Sequence, residues 1–227
     1  MKNIYLALAL VTAPLISLAA DLPNKNIVTS EEVTPNEDLM REHGVLRSLL
    51  LVYQEIIRRI DNHEALPSQV VSESAKIARG FVEDYHEKLE EEFVFPQFEK
   101  AHVLTELVRT LKEQHDAGRV ITDYVLAHAV VVNPKDEMSL MILADYLRLY
   151  IRMFAPHAVQ EDTVLFPAFR KLLPNDEYMK LGDLFEDREQ KLFGKQGFET
   201  MVEAISNIEK QLGIYTLSQF TFYSKKA

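Results

Sequence analysis

Four long stretches of the chain repeat apolar residues at the three- and four-residue spacing of an amphipathic helix. They cover about residues 36–61, 68–100, 103–131 and 135–173, and prolines at 67, 134 and 174 separate them. Pro96 and Pro167 fall late in the second and fourth helices, where we expect them to kink or tighten the last turns. The pattern predicts an all-α fold, an up-down-up-down four-helix bundle over residues 36–173.

Residues 174–227 continue as a C-terminal helical extension and tail. A fifth helical segment runs from about 175 to 212, and its middle, FGKQGF, favours a break into two helices. The last stretch, GIYTLSQFTFYSKKA, has no periodicity that assigns it to an element.

The N-terminus has the parts of a secretory signal peptide. Lys2 precedes an uncharged, mostly apolar run over residues 4–20, with small residues around Ala19 and the first acid at Asp21. We therefore expect residues 1–20 to be cleaved, residues 21–35 to form a polar lead-in, and the protein to be exported, periplasmic or secreted. An uncleaved membrane anchor is the alternative, because the run is about as long as the shortest membrane spans.

Charge and cysteine content exclude several classes of function. The formal net charge is −10, from 25 basic and 35 acidic residues, so no nucleic-acid partner is expected. Loss of Lys2 with the signal would give −10 − 1 = −11, and no membrane association is expected after cleavage. Because the chain has no Cys, disulfides and thiolate metal sites are excluded.

Each of the four predicted helices carries one histidine on its otherwise apolar inward stripe: His43, His86, His115 and His157. The predicted inward sets of the second and fourth helices also include Phe93 and Val164. One histidine on an apolar face is usually a core residue, but four on consecutive helices need a common explanation. The other histidines lie near predicted turns and are expected on the surface: His63, His102 and His128.

Sequence positions predict that the four histidines meet. In an antiparallel helix pair, residues equidistant from the turn lie at the same height, because each residue rises about 1.5 Å. The midpoints of 43 and 86, of 86 and 115, and of 115 and 157 are 64.5, 100.5 and 136, each within a predicted turn. The bundle therefore brings all four to one layer of the core.

A repeated motif adds two carboxylates to that layer. HEKLEEEFVFPQF (86–98) and HAVQEDTVLFPAF (157–169) each place a glutamate, Glu90 or Glu161, one helical turn after the histidine. A histidine followed four residues later by arginine is also repeated, at 43 and 47 and at 115 and 119. The chain is thus two copies of one helical hairpin, which predicts a pseudo-two-fold site.

Imidazole and carboxylate together suit iron, manganese or zinc, and metal ions would neutralise the buried acids. The two-fold symmetry fits two ions, each with two histidines, spanned by both carboxylates. Two octahedral ions offer twelve positions. Four histidines, two bridging carboxylates and one bridging solvent oxygen fill ten, which leaves two for an exogenous ligand such as O2.

The doubled motif resembles the hemerythrin family, in the form called the HHE cation-binding domain, over about residues 36–172. The resemblance rests on the metal-ligand candidates His43, His86, Glu90, His115, His157 and Glu161. It implies a non-haem di-iron site, oxo- or hydroxo-bridged, that binds O2 reversibly or responds to oxygen, redox state or iron. The C-terminal segment also resembles the extension of some bacterial members.

Two departures from oxygen-carrying hemerythrins bear on function. Carriers have a fifth histidine where this chain has Arg119, which does not ligate metals, so the site is expected to be more open and to favour oxidation or sensing over storage. Carriers also place the last carboxylate five residues after its histidine, which is Asp162 here. The internal repeat instead favours Glu161, since a residue five positions on shares the helix face only across a distorted turn.

Several neighbouring side chains allow two interpretations. Arg47 and Arg119 either hold ligating carboxylates or extend outward to surface acids, and we favour the outward arrangement. Glu91, Glu92 and Glu99 are interpreted as a solvated face.

Tyr150 and Gly118 lie on the inward stripes close to the predicted layer. Tyr150 either approaches an open metal position or packs, and packing is the favoured role. Gly118 either leaves room for a small ligand or allows close helix packing.

Three functions fit these residues. The leading hypothesis is a non-enzymatic di-iron module that binds O2 or senses oxidants. The alternatives are a di-iron oxidase or peroxide-consuming enzyme, and a protein that sequesters iron or zinc. A ferritin-like oxidase is disfavoured, because its Glu-xx-His motif precedes one ligand candidate, at Glu83 and His86, without a counterpart before His157.

Overall fold

The computed structural model describes residues 33–67, 69–129 and 136–222. The predicted signal peptide, the lead-in up to residue 32 and the last five residues lie outside this range. The described residues form six helices and no strand. None of the helices in these ranges combines the length and apolar character that crossing a membrane requires.

The helices follow the predicted order closely. Helix α1 is Pro35–Asp61, and α2 runs without interruption through Val70–Ile77, Ala78–His86, Glu87–Leu89, Glu90–Val94 and Phe95–Ala101. Helix α3 is Thr105–Ala129, and α4 runs through Glu137–Gln160, Glu161–Leu165 and Phe166–Leu172. Helices α5 and α6 are Asn175–Phe193 and Gly197–Leu212, and a short 3₁₀ turn, Leu217–Phe220, follows.

Local sequence explains where the helices begin and break. Thr34 accepts a hydrogen bond from the Glu37 amide while the Glu37 side chain bonds the Thr34 amide, a capping box that starts α1. Asp136 caps α4 in a similar way. The predicted break in the fifth segment is confirmed, because α5 ends at Gly194, whose φ of +87° suits glycine. Predicted bounds at 68, 131 and 135 lie outside the described residues.

The first four helices form the predicted bundle, in which each helix packs against its neighbours in the sequence and α1 packs against α4. Helices α5 and α6 pack on α1, and α6 also contacts α2, so the extension covers one side of the bundle. Aromatic contacts join the two parts: Tyr178 packs against Phe169, and Phe185 against Phe93.

Helices α2 and α4 each widen into a π-helical turn at the repeated motif, Glu90–Val94 and Glu161–Leu165, and α2 has a further π-helical stretch at Ala78–His86. The amide after each turn, of Phe95 or Phe166, donates to the carbonyl of the glutamate five residues earlier. The next residue is a proline, which has no amide hydrogen to donate and disfavours the regular pattern. Of the two predicted effects of these prolines, kinking or tightening, tightening was therefore wrong: the turn before each of them is wider.

The widened turns change which residues face the core. A π turn adds a residue to the helix, so the inward stripe shifts by one position beyond it. Val164, predicted inward, is 37% exposed, and Phe93 is only partly buried. The residues that follow, Val94 and Leu165, are fully buried instead.

Candidate metal centre

The four histidines lie in one layer of the bundle, as the turn midpoints predicted. They form two pairs, His43 with His86 and His115 with His157, with ring centroids 4.7 and 5.0 Å apart. None is more than 4% exposed. Each pair comes from a single helical hairpin, α1 with α2 or α3 with α4.

Two buried carboxylates connect the histidine pairs. Glu90 Oε1 lies 3.7 Å from His86 Nε2, and Oε2 lies 3.4 Å from His115 Nε2. Glu161 Oε2 lies 3.3 Å from His43 Nε2, and Oε1 lies 3.1 Å from Nε2 of the fourth histidine. Each carboxylate therefore presents one oxygen to each pair, and both are fully buried.

The other ring nitrogen of each α1 or α3 histidine bonds an acid from the opposite hairpin. His43 Nδ1 lies 2.7 Å from Asp162 Oδ1, and His115 Nδ1 lies 3.1 Å from Glu91 Oε1. In both cases the acid is the residue directly after the bridging glutamate. Asp162 therefore orients a histidine from outside the layer, whereas Glu161 faces the layer itself.

The repeated arginines hold these orienting acids. Arg47 bonds Asp162 Oδ2, and Arg119 bonds Glu91 Oε1 at 2.5 Å and Glu87 Oε2 at 2.8 Å. The favoured prediction that both arginines extend to surface acids was right only in part. Arg119 also bonds the exposed Asp116, but the other partners lie beside the layer, and two of them, Asp162 and Glu91, orient histidines. Acids held in this way fix the direction of metal-binding histidines.

The α2 and α4 histidines are oriented by the residue that precedes the other histidine of their own hairpin. His86 Nδ1 lies 2.6 Å from Glu42 Oε2, and His157 Nδ1 lies 2.8 Å from Gln114 Oε1. All four Nδ1 atoms thus have an acceptor. In a neutral ring that donates to this acceptor, Nδ1 carries the proton and Nε2 turns its lone pair toward the layer.

This arrangement leaves acceptors facing one another. His115 Nε2 and His157 Nε2 are 3.2 Å apart, and with both Nδ1 atoms donating, neither Nε2 carries a proton to share. Nε2 of His43 and His86 and all four oxygens of Glu90 and Glu161 are buried without a hydrogen-bond partner among the described residues. Such groups are costly unless a cation lies between them.

The ionisation of the two glutamates supports the same conclusion. Burial and the neighbouring Glu161 charge raise the pKa of Glu90 well above its usual range. Burial also opposes ionisation of Glu161, but His157 and His43 outweigh it and hold the pKa of Glu161 well below its usual range. Without a metal, only one of the two carboxylates is readily charged.

The pKa values of the histidines are likewise shifted in opposite directions. Burial lowers the pKa of His115 to about 4, and burial with the nearby His43 charge lowers the pKa of His86 well below its usual value. Burial also disfavours charge on His43, but Asp162 and Glu161 raise its pKa to about 9.

The donor set fits two metal ions. Potential ligand atoms of His43, His86 and Glu90 lie within 4.8 Å of one another, and a second group with the same spacing consists of Glu90, His115, His157 and Glu161. The six predicted residues are therefore the ones that converge. The buried cluster of nitrogen and carboxylate donors is compatible with metal binding.

The structure also resolves the smaller alternatives. Glu91 is not part of a solvated face, because its side chain is 19% exposed and bonds His115; Glu92 and Glu99 are exposed as predicted. Tyr150 is buried and packs against Phe154, with ring centroids 4.4 Å apart, in keeping with the packing role.

Gly118 serves close helix packing. A Cβ atom there would lie 2.6 Å from Cζ of Phe154, so the ring occupies the space that a side chain would need. The ring of Phe154 in turn packs against His157, with centroids 5.2 Å apart.

Sequence inspection did not identify the residues that orient the histidines. They were detectable in principle, since each lies next to a ligand candidate in both copies of the hairpin. The Phe of each Phe-Pro pair also contacts a histidine of the opposite hairpin: Phe166 lies 5.5 Å from His43 and Phe95 lies 5.4 Å from His115, measured between ring centroids.

Comparison with known proteins identifies the family. The family model described as hemerythrin HHE cation binding domain matches residues 34–169. Uncharacterized proteins of Mycobacterium bovis and Mycobacterium tuberculosis are 48% identical over 189 residues, which is 83% of this chain and 74% of theirs. No solved structure matches the chain. The family match covers more than half of the sequence and includes every residue of the centre, so the chain belongs to the hemerythrin HHE cation-binding domain family.

Proposed function

We propose that this protein holds two iron ions and uses them to bind O2 or to sense oxygen, redox state or iron. The observation that carries the proposal is the crossed arrangement of the donors. Two histidine pairs face each other across two buried glutamates, and each glutamate presents one oxygen to each pair.

In this proposal, His43 and His86 hold one ion, His115 and His157 hold the other, and the two glutamates bridge them. Bound iron would supply the exchange of electrons with a small ligand. The protein keeps the four Nε2 lone pairs directed inward through the acceptors on Nδ1, and it supplies two carboxylate charges where the ions require them.

The surroundings of the centre favour a small, uncharged ligand. The six donor residues are 0–4% exposed, and phenylalanine rings flank two of the histidines. A diatomic molecule can diffuse through such packing, whereas an organic substrate would require an opening. Arg119 stands where oxygen carriers have their fifth histidine, and its guanidinium bonds Glu87 and Glu91. It therefore supplies no metal-binding atom, and that coordination position is left for an exogenous ligand.

The donor chemistry also accommodates zinc or manganese, so the metal must be measured. Metal analysis of protein purified without chelator should find about two iron ions per chain. The optical spectrum should show visible bands that change reversibly between the reduced and the air-exposed protein.

Variants sharpen this experiment. Glu161→Gln should lose the bands, whereas His128→Ala should keep them, because His128 is exposed and distant from the layer in the sequence. Catalytic loss of peroxide would favour the peroxide-consuming alternative. A colourless protein loaded with zinc would overturn the iron proposal and favour sequestration.

A further inference from the structure

Three acidic side chains converge outside the histidine layer, where α5 covers α1. Potential ligand atoms of Asp38, Glu42 and Glu189 lie within 4.8 Å of one another. Asp38 and Glu42 are each 1% exposed, and the Glu189 side chain is 13% exposed. We call these three residues the outer acidic cluster.

Two acids of this cluster have one oxygen engaged and one free. Asp38 Oδ1 accepts a hydrogen bond from Arg41 at 2.7 Å, and Glu42 Oε2 bonds His86 Nδ1 at 2.6 Å. Asp38 Oδ2 is buried and has no hydrogen-bond partner in the part of the chain that the structure describes. Glu42 Oε1 is also buried and forms no regular hydrogen bond there, with the Tyr85 hydroxyl as a neighbouring donor. A buried carboxylate oxygen without a partner indicates a missing cation or proton donor.

The third acid comes from the extension. Glu189 Oε1 accepts a hydrogen bond from the Phe198 amide at 3.0 Å, and Oε2 lies 3.7 Å from Arg41. Arg41 thus offers one positive charge to the three carboxylates.

The internal repeat shows that these charges are not needed to orient histidines. Seventy-two residues after Asp38 and Glu42, the second hairpin has Thr110 and Gln114. Gln114 accepts from its histidine just as Glu42 does, so a neutral amide is sufficient for that hydrogen bond. The acids of the first hairpin therefore require another explanation.

A surface cavity borders the outer acidic cluster at Glu189. This cavity of about 180 Å³ is lined by Arg41, Glu186, Glu189, Gln190, Lys195 and Glu199. Carboxylates thus continue from the exposed rim through Glu189 to Asp38 and Glu42, and Glu42 contacts His86 of the centre.

We propose that the outer acidic cluster is an additional divalent-cation site, through which metal ions enter the centre. Its ligands are all oxygens, so it would take hard cations such as Mn²⁺ or Fe²⁺ and hold them more weakly than the histidine layer. A cation there replaces the weak contact of Arg41 with Glu189. The cation site stands independently of the proposed di-iron function, whereas its role in loading rests on that function.

Titration with Mn²⁺, followed by the EPR signal of the free ion, tests the site. Protein whose centre has first been filled should bind about one further Mn²⁺ per chain. Glu189→Gln should weaken this binding at least tenfold, since the variant keeps the size and the Phe198 hydrogen bond but removes the charge. Glu203→Gln, the same change at an exposed position of α6, should bind as the wild type does.

Loading is tested by the rate at which metal-free protein takes up metal. Glu189→Gln should slow uptake several-fold without changing the final content of the centre. Asp38→Asn should act in the same direction, and far-ultraviolet circular dichroism establishes that both variants are folded.

The proposed site is wrong if the wild type binds no Mn²⁺ beyond the filled centre, or if both variants still bind that additional ion. The loading role is wrong if variants that no longer bind the additional Mn²⁺ still take metal into the centre at the wild-type rate. If the centre itself binds no metal, the proposed function fails, but the Mn²⁺ titration of metal-free protein still shows whether Glu189 and Asp38 hold an ion.

Discussion

At the scale of residues, four of the six ligand candidates have a neighbour in the sequence that orients a different histidine. Asp162 and Glu91 follow the bridging glutamates, while Glu42 and Gln114 precede histidines. Of two adjacent residues, one therefore faces the layer and the other orients a histidine ring on another helix.

This division predicts different outcomes for neighbouring substitutions. Glu161→Gln removes a bridging charge and should reduce bound metal well below two ions per chain. Asp162→Ala should keep the stoichiometry but weaken metal affinity by roughly 10- to 100-fold, because it removes the acceptor that orients His43 and leaves the six ligand candidates in place. Metal content after dialysis against graded chelator measures both, and equal losses in the two variants would contradict the assignment.

Glu42 gives a prediction about pH. Burial raises the pKa of Glu42 from 4.5 to about 8, so the folded, metal-free protein binds a proton that the unfolded chain releases at lower pH. Its stability should therefore fall as the pH rises from 4.5 through 8, by roughly 1.4 kcal/mol per unit of pKa difference as an upper limit.

Glu42→Gln should flatten this part of the pH profile, since an amide does not titrate. Urea unfolding of metal-free wild type and variant at about pH 5 and about pH 9 measures the difference. The exposed Glu203→Gln should retain the wild-type profile, and a Glu42→Gln profile parallel to wild type would contradict the argument.

The ligand candidates were predictable because the motif is repeated and because turn midpoints place the histidines at one height. The orienting acids were not, since a charged residue next to others in EKLEEE is usually solvated. Whether Glu91 points outward or toward His115 depends on the opposite hairpin, which local sequence does not specify.

At the scale of elements, the Phe-Pro pairs act on the helix turn before them. A proline late in a helix can end it, kink it or widen it, and the choice depends on whether packing beyond the proline keeps the helix going. Here both helices continue, to Ala101 and Leu172, so the missing hydrogen bond is accommodated by π turns. Because the π turn shifts the inward stripe by one residue, Val164 is exposed, although periodicity predicts it in the core.

The α3–α4 contact at Gly118 gives a test of packing. Gly118→Ala places a Cβ atom 2.6 Å from the Phe154 ring and should lower the free energy of unfolding by about 1–3 kcal/mol. Gly44→Ala is the matched control, because nothing lies within 4 Å of its added Cβ, and it should raise stability by about 0.5–1 kcal/mol. Denaturant unfolding measures both, and stabilisation by Gly118→Ala would show that the contact is looser than described.

At the scale of the whole molecule, sequence was sufficient for the order and direction of the bundle helices, because short turns force neighbours to be antiparallel. It was not sufficient for the extension. The apolar faces of α5 and α6 can cover any side of a bundle. One contact that fixes their place, Phe185 with Phe93, involves a residue that the π turn displaces from the core, so periodicity does not predict it.

Metal removal should affect the entire fold, because the unpartnered donors lie at the junction of all four bundle helices. Metal in thousandfold excess over its Kd stabilises a protein by about 4 kcal/mol, which corresponds to roughly 10 °C in Tm for a chain of this size. Chelation should lower the Tm by about that amount and added metal should restore it, as followed by calorimetry. No change in Tm would contradict a metal centre in the folded protein.

The exchange of groups between the hairpins has an evolutionary consequence. Each hairpin supplies a histidine pair, but it receives one carboxylate, one orienting acid and a phenylalanine ring from the other. One hairpin alone would bind metal poorly, whereas two identical hairpins related by a two-fold axis would rebuild the whole centre. The present chain therefore has the form expected of a duplicated gene whose ancestor worked as a homodimer, and fusion allows the two copies to differ, as Asp38 and Glu42 differ from Thr110 and Gln114.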